Sequence, residues 1–138
     1  MPIITGPAEE GSLYRGVARF QYDYTVHGGA VSAINISGDP LPDGAIIYGG
    51  VLDVISALTG AGATVALSMN SANDIISAAA ISGAPWSTTG IKAIVPVATA
   101  ATSKKLTAER YMVATITGAV LTAGKFNVAV FYFRSSTA

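Results

Sequence analysis

The most regular hydrophobic pattern of the chain lies between Tyr14 and His27. Aromatic and small apolar residues occupy nearly every second position, and most of the positions between them are polar or charged. Alternation with a period of two is typical of a strand with one buried face, because successive side chains point to opposite sides. We therefore predict a long strand over this range, with Phe20, Tyr22 and Tyr24 packed inward.

The next segments continue as strands and turns. Gly28-Gly29 is a two-residue hairpin signal, and it predicts Ala30–Ile36 as the partner strand. After a turn-forming cluster over residues 37–44, Ala45–Ser56 is apolar and β-branched. The pair Gly49-Gly50 interrupts this segment, which indicates a bulge or a close backbone approach. A further strand is predicted over Thr64–Met69.

The second half of the chain contains one helical candidate among its strands. Asn73 to Ala80 is predicted to form a short helical turn with Asn73 as its N-cap. Pro96 places the end of the strand Ile91–Val97 at a sheet edge. The last strand, Lys125–Arg134, has apolar residues on both faces, so we expect it to lie centrally or in an interface. The remaining strand candidates are Leu106-Thr107 and Arg110–Thr117.

About eight short strands with almost no helix predict an all-β protein, a β-sandwich or jelly roll of antiparallel strands. Residues 1–13 contain two prolines and two glycines and show no periodicity, so they are predicted to form an extended N-terminal arm. Residues 14–138 are then a single β-sandwich domain, in keeping with the usual size of one domain.

Composition narrows the partners of such a domain. The chain has 8 basic and 8 acidic residues, so it has no net charge that would attract nucleic acid or a membrane surface. Only 12% of its residues are charged and the mean hydropathy is +0.51, which predicts that partners cover part of the surface. Cysteine is absent, and the longest charge-free stretch, Val54–Asn73, contains too many polar residues for a membrane span.

Catalytic and cofactor motifs are weak, so we predict no enzyme activity, no cofactor and no metal. His27 is the only histidine and reads as a capping or solvent-facing residue. No G-x-S-x-G elbow occurs, and the glycine-rich stretches lack the spacing of nucleotide-binding loops. Two groups of acidic and amide residues could donate oxygens to calcium, although capping of turns is commoner for both: Asp39 with Asp43, and Asn70, Asn73 and Asp74.

Five residues are candidates for protein contacts. Trp86 lies in a predicted loop, where it would either stack on a sugar or anchor a protein contact, or else close the loop as a core residue. Arg19 and Asp23 lie on the polar face of the first strand. They are four residues apart, about 13 Å along a strand, so each needs a cross-strand or subunit partner. Ile3 and Ile4 are the large apolar residues at the start of the arm.

Several segments resemble small virion proteins of tailed bacteriophages, and the likeness spans most of residues 14–133. It rests on a pattern of turns and strands rather than on a catalytic signature. The segments are Gly16-Val-Ala-Arg-Phe-Gln-Tyr-Asp-Tyr24, Gly28-Gly-Ala30, Leu41-Pro-Asp-Gly-Ala-Ile-Ile47, Gly50-Val-Leu-Asp-Val-Ile55, Asn73-Asp74, Pro85-Trp-Ser-Thr-Thr-Gly90, Ile94-Val-Pro-Val97, Leu106-Thr-Ala-Glu-Arg110 and Leu121-Thr-Ala-Gly-Lys-Phe126.

This resemblance implies a head decoration or cement protein that binds and stabilises the outer surface of the capsid. Its partners would be the major capsid protein and further copies of itself, with a homotrimer favoured. It implies no catalytic residues. The alternative is a jelly-roll module associated with a tail or fibre that recognises carbohydrate through Trp86 and nearby polar loops.

Overall fold

The computed structural model describes residues 13–69, 74–94 and 105–135, and these form two antiparallel β-sheets that enclose one hydrophobic core. This confirms the predicted all-β sandwich. The elements are, in chain order, β1 (Leu13–Asp23), α1 (Tyr24–His27), β2 (Ala33–Asn35), β3 (Ser37–Gly38), β4 (Ile46–Thr59), β5 (Thr64–Ser68), β6 (Ile76–Ala80), β7 (Gly90–Ile94), β8 (Val113–Thr117) and β9 (Ala123–Ser135).

The larger sheet has the strand order β3-β1-β9-β4-β7, and the smaller has the order β2-β8-β5-β6. Strand β9 lies between the two other long strands, as its apolar residues on both faces predicted. It pairs with β1 without interruption from Leu13 opposite Ser135 to Asp23 opposite Lys125. On its other side it pairs with β4. These three long strands form the centre of the larger sheet.

The core between the sheets contains an aromatic cluster formed by Tyr22, Phe126 and Trp86. The ring centroids of Tyr22 and Phe126 are 5.3 Å apart, and those of Trp86 and Phe126 are 5.1 Å apart. All three side chains are buried, and offset or tilted ring pairs at such distances are favourable. Around them pack large aliphatic side chains from both sheets and the connecting loops, among them Ile36, Leu41, Leu52, Val54, Leu67, Ile75, Leu106, Met112 and Ile116.

The first strand has the predicted inner face but ends earlier than predicted. Phe20 and Tyr22 are buried, as the alternation required. At Asp23, however, the carboxylate accepts hydrogen bonds from the backbone N–H and the hydroxyl of Thr25, at 3.0 Å and 2.8 Å. This capping interaction starts the single turn α1. Tyr24 therefore lies in a helical turn, half-buried against the core, rather than in the strand.

The predicted hairpin at Gly28-Gly29 is wrong. Gly28 ends α1 with a φ of 75°, a left-handed conformation that glycine adopts without strain. The following residues then cross to the other sheet, where β2 pairs with β8. The strand that returns to β1 is the two-residue β3, which pairs with it at Phe20 and Gln21. The glycines serve a crossing between sheets instead of a tight turn.

The glycine pair in β4 marks an irregularity, as predicted. The register between β4 and β9 shifts between Ile47 and Gly49. At Gly50 a side chain is excluded, because a Cβ atom there would lie 2.5 Å from the backbone oxygen of Ala129. The shift turns Tyr48 outward, where it is 55% exposed.

The helical turn predicted to extend to Ala80 is wrong, because residues 76–80 form strand β6, which pairs with β5. The alanines favour a helix locally, but Ala79 pairs opposite Val65, and Ile76 packs against the core. Asn73, the predicted N-cap, lies outside the described residues. Strand β7 is an edge strand, as predicted, and residues 95–97 of the predicted strand also lie outside the described part.

Candidate protein-interaction surface

The outer face of the five-stranded sheet carries an exposed group of apolar side chains, Val17, Tyr48, Phe131 and Phe133, which we call the outer apolar patch. Val17 and Phe131 are register partners on β1 and β9. The ring of Tyr48 lies 6.3 Å from that of Phe131 and 5.8 Å from that of Phe133, centroid to centroid. Val17 is 42% exposed and both phenylalanines are half-buried. Clustered aromatic rings at a surface are typical of protein interfaces.

An open groove of about 560 Å³ continues this face toward β3. Its floor is apolar, with Val51 and Ala129, and its polar lining includes Arg19, Gln21, Asp53 and Asn127. The Gln21 side-chain amide donates to Asn127 Oδ1 at 2.8 Å. This hydrogen bond fixes both side chains in the polar lining of the groove. The face therefore combines an aromatic patch with a polar strip, as interface cores and rims do.

The structure places Arg19 in this groove and Asp23 at the far end of the same strand. Arg19 is exposed on the outer face. Asp23 lies opposite Lys125 of β9. Its pKa lies below the usual range, first because Thr25 donates to its carboxylate and then because of the charges on Lys125 and His27. Asp23 thus has a local role in capping α1, and a role in contacts with a partner remains a prediction for both residues.

His27 has a structural position, in agreement with a capping role. The backbone N–H of Asp23 approaches its Nδ1 at 3.1 Å. Its Nε2 lies 2.9 Å from the hydroxyl of Ser37 and 3.1 Å from the Ser37 backbone nitrogen. The ring also stacks on Tyr22, with centroids 5.6 Å apart. The imidazole therefore links the end of β1 to the start of β3.

Tyr22 makes stability sensitive to alkaline pH. Burial, followed by the nearby Tyr24 and Asp23, raises the pKa of its phenol to about 12, and the hydroxyl donates to the carbonyl of Gly28 at 2.6 Å. Above pH 10 the unfolded phenol loses its proton while the native one keeps it, so the native state binds more protons and stability falls as pH rises. After allowance for partial solvation, we expect a loss of about 1–2 kcal/mol between pH 10 and pH 12.

Urea unfolding at pH 9 and pH 11.5 measures this loss, with Tyr22→Phe as the control. The variant lacks the titrating group but keeps the ring, so its unfolding free energy should fall less over the same interval. An equal fall in both proteins would assign the effect to other tyrosines.

The structure corrects the prediction of a surface role for Trp86. Its indole is fully buried, lies at a tilted angle against the ring of Phe126 in the larger sheet, and donates its Nε1–H to the carbonyl of Val65 in the smaller sheet at 3.2 Å. The loop that follows the cis bond between Ala84 and Pro85 thus inserts this ring between the sheets. Neither face of the indole reaches the surface. Of the roles predicted for Trp86, the structure therefore supports that of a core residue that closes the loop.

The remaining predicted site residues divide into two groups. Ile3, Ile4, Asn70 and Asn73 lie outside the described residues. Asp74 is buried, and its Oδ1 accepts a hydrogen bond from the backbone of Met69 at 2.8 Å, so it has a turn-capping role. In residues 13–69, 74–94 and 105–135 no three His, Asp or Glu side chains come together in a way that could hold a metal ion.

Within the same ranges, no helix has the length and apolarity to cross a bilayer.

The residues that sequence reasoning missed are those of the outer apolar patch. The signal for them was the apolar character of both faces of β9, which indicated either a central strand or an interface. The structure gives β9 the central position and leaves the side chains of its outer face, Phe131 and Phe133, only half-buried.

Comparison with known proteins identifies a shared fold. No family model and no curated protein matches the chain. Among solved structures, a chain of the cyanophage Pam1 capsid asymmetric unit is similar, with a TM-score of 0.61 and 21% identity over 96% of this chain and 94% of that chain.

Two further capsids contain similar chains. The acidic stable capsid of Helicobacter pylori bacteriophage KHP30 matches with a TM-score of 0.57 and 15% identity, over 86% of both chains. The capsid of Ralstonia phage GP4 matches with a TM-score of 0.58 and 16% identity, over 97% of this chain and 90% of that chain. At these identities the likeness shows that the fold is the same.

Proposed function

We propose that this chain is a structural protein of a tailed-phage virion, and more specifically a decoration or cement protein that binds the outer surface of the head and stabilises it. The observation that carries the proposal is the match of nearly the whole chain to nearly whole chains from three phage capsids. All three are capsid structures, which favours the head over the tail.

The surface supports a role in assembly. The outer apolar patch exposes aromatic side chains on the outer face of the five-stranded sheet, in a chain with only 12% charged residues. A surface with few charges loses little free energy of hydration when a partner covers it. We infer that this face is buried in the assembled head, against another copy of the chain or against the major capsid protein.

We also propose that the assembling unit is a homotrimer. The basis is analogy with jelly-roll cement proteins that cluster around the symmetry axes of a shell, together with the exposed apolar patch, which disfavours a monomer. The alternative function, recognition of carbohydrate by Trp86, has lost its aromatic platform because that ring is buried. No second function is therefore proposed.

The test is addition of the purified protein to undecorated heads of the phage that encodes it. Cosedimentation should saturate at a fixed ratio of this chain to the major capsid protein, and decorated heads should withstand higher temperature than bare heads. Sedimentation velocity of the free protein should give the mass of a trimer. Failure to bind bare heads at any concentration would refute the decoration role, and a monodisperse monomer at high concentration would refute the trimer.

The patch itself can be tested with Tyr48→Lys. Because Tyr48 is exposed, a lysine there should leave the fold intact but place a charge in the interface. We expect assembly or head binding to weaken about tenfold or more, the range for an aromatic residue at the centre of an interface. The matched control is Tyr111→Lys, since Tyr111 is 46% exposed and lies outside the five-stranded sheet. Equal effects of the two variants would remove the patch from the interface.

A further inference from the structure

The outer apolar patch lies next to the place where the chain enters the sheet. Phe133 pairs with Arg15, and Phe131 pairs with Val17. Since Leu13 is the first residue of β1, the patch begins about 7 Å from it along the strand. Beside the patch, β1 also presents two cations on the outer face, Arg15 and Arg19, and both side chains are exposed.

We propose that residues 1–12 of a neighbouring copy occupy this face, with Ile3 and Ile4 on the outer apolar patch and Glu9 and Glu10 beside Arg19. This inference rests on the self-assembly in the proposed function and names the occupant of the surface. It also gives a receptor to the arm and a partner to Arg19.

The chemistry of the segment fits the face. Its large apolar side chains come first and its two carboxylates follow five or six residues later, which is about 17–20 Å in an extended chain. On the sheet, the aromatic rings lie level with Arg15 and Val17, and Arg19 lies farther along β1. An apolar group followed by acidic groups thus faces an apolar group followed by a basic one. Both glutamates lie in residues 1–12, and the cation that would pair with them, Arg19, lies on β1 of the described domain.

The length of the segment favours a neighbour over the same copy. Ile3 and Ile4 are nine or ten residues before Leu13, so an extended segment places them about 30 Å away. The patch of the same copy is only about 7–14 Å from Leu13 along β1. Pro2 and Pro7 favour extended backbone in themselves and in the residues before them. An extended segment that continues the line of β1 leaves the sheet at Leu13, away from its own patch, and reaches that of another copy.

This contact joins two different surfaces, the segment of one copy and the sheet of the next. An arm contact of this kind gives a two-fold dimer when two copies exchange arms reciprocally, and a ring when each arm reaches the next copy in the same sense. A ring of three copies would use every arm and every patch once. The inference is therefore compatible with the proposed trimer without depending on analogy with other capsids.

Disulfide trapping in the full-length protein tests the inference, because the natural chain has no cysteine. Copies that carry only Ile4→Cys are mixed with mass-tagged copies that carry only Val17→Cys, and the assembled mixture is oxidised gently with glutathione disulfide. The control replaces Val17→Cys by Val120→Cys, a site of similar exposure at 53% that lies between β8 and β9. We expect the mixed disulfide with Val17→Cys to form at least tenfold faster than with Val120→Cys.

A chain that carries both Ile4→Cys and Val17→Cys separates the two possible sources of the segment. Disulfide-linked oligomers support the proposal, whereas a bridge within single chains would overturn it in favour of the chain's own arm. Equal trapping at Val17 and Val120, or no trapping at either, would also overturn it. Added to the chain that carries Val17→Cys, Arg19→Glu should slow trapping two- to fivefold, the usual range for one exposed ion pair.

Head binding is measured with the same cysteine variants kept reduced, and this measurement keeps the two proposals distinguishable. If trapping at Val17 fails while the protein still binds bare heads, the inference is wrong and the decoration role stands. If trapping succeeds but the protein does not bind heads, the arm contact stands and the decoration role is wrong.

Discussion

Replacement of Trp86 by alanine should lower the free energy of unfolding by about 3–5 kcal/mol, the range for loss of a large buried aromatic side chain. The indole is fully buried, contacts Phe126 in one sheet and donates to the carbonyl of Val65 in the other. Its removal leaves a cavity and an unpaired carbonyl where the two sheets meet. Since domains of this size are stable by only about 5–15 kcal/mol, the variant should lose a large fraction of its stability.

Urea denaturation followed by far-UV circular dichroism measures this loss. Fluorescence does not serve for the variant, because Trp86 is the only tryptophan of the chain. Trp86→Phe is the control, since it keeps an aromatic ring but loses the N–H that binds Val65, and we expect it to cost about 1–3 kcal/mol. If Trp86→Ala proved as stable as the natural protein, the ring would not bridge the sheets.

Phe126→Ala should have a similarly large effect, about 3–5 kcal/mol. Phe126 lies on the central strand β9 between two aromatic rings, Tyr22 at 5.3 Å and Trp86 at 5.1 Å. Because its two neighbours lose a common partner, the effect should not be independent of theirs. The variant that combines Phe126→Ala with Trp86→Ala should be more stable than the sum of the single effects predicts, by about 0.5–3 kcal/mol.

The same urea titrations provide the four corners of this double-mutant cycle. Phe126→Leu is the conservative control and should lose less stability than Phe126→Ala, because it retains most of the buried volume. Strict additivity of Phe126→Ala and Trp86→Ala would show that the two rings contribute separately to stability, in conflict with a single aromatic cluster.

The parts of the fold that the sequence predicted are those in which side-chain pattern and tertiary contact agree. The inner face of β1 follows from strict alternation, and the buried Phe20 and Tyr22 confirm it. The central position of β9 follows from its two apolar faces. The glycine pair of β4 marks a register shift before Gly49 and a close approach of the Ala129 backbone at Gly50, where there is no room for a side chain.

The errors arose where a local sequence pattern favoured one structure and hydrogen bonds in the folded chain imposed another. Alternation continues through Asp23 without interruption, yet two hydrogen bonds from Thr25 end the strand there. The alanines before Ile81 have a helical propensity, but pairing with Val65 holds them as β6. Propensity acts over a few residues, and a ladder of tertiary hydrogen bonds overrides it.

The interaction surface was less accessible to sequence reasoning than the fold. Trp86 is the single tryptophan and lies in a predicted loop, and no sequence pattern indicates that the loop turns its side chain into the core. The exposed position of Tyr48 depends on the register shift that precedes Gly49, and no periodic pattern marks such a shift. Phe131 and Phe133 appeared only as the second apolar face of a strand. A surface built from three strands far apart in sequence requires knowledge of which strands are neighbours.

The pairing of Leu13 with Ser135 has a mechanical consequence. Both ends of the described chain leave the sheet at the same end of the β1–β9 ladder. A force that pulls these ends apart acts on one hydrogen-bonded pair at a time, so the ladder opens like a zipper at low force. A force that enters instead at Leu13 and leaves at Thr59, at the opposite end of β4, loads many pairs in parallel, as shear. The sandwich resists tension well only when its tethers do not both attach at this corner.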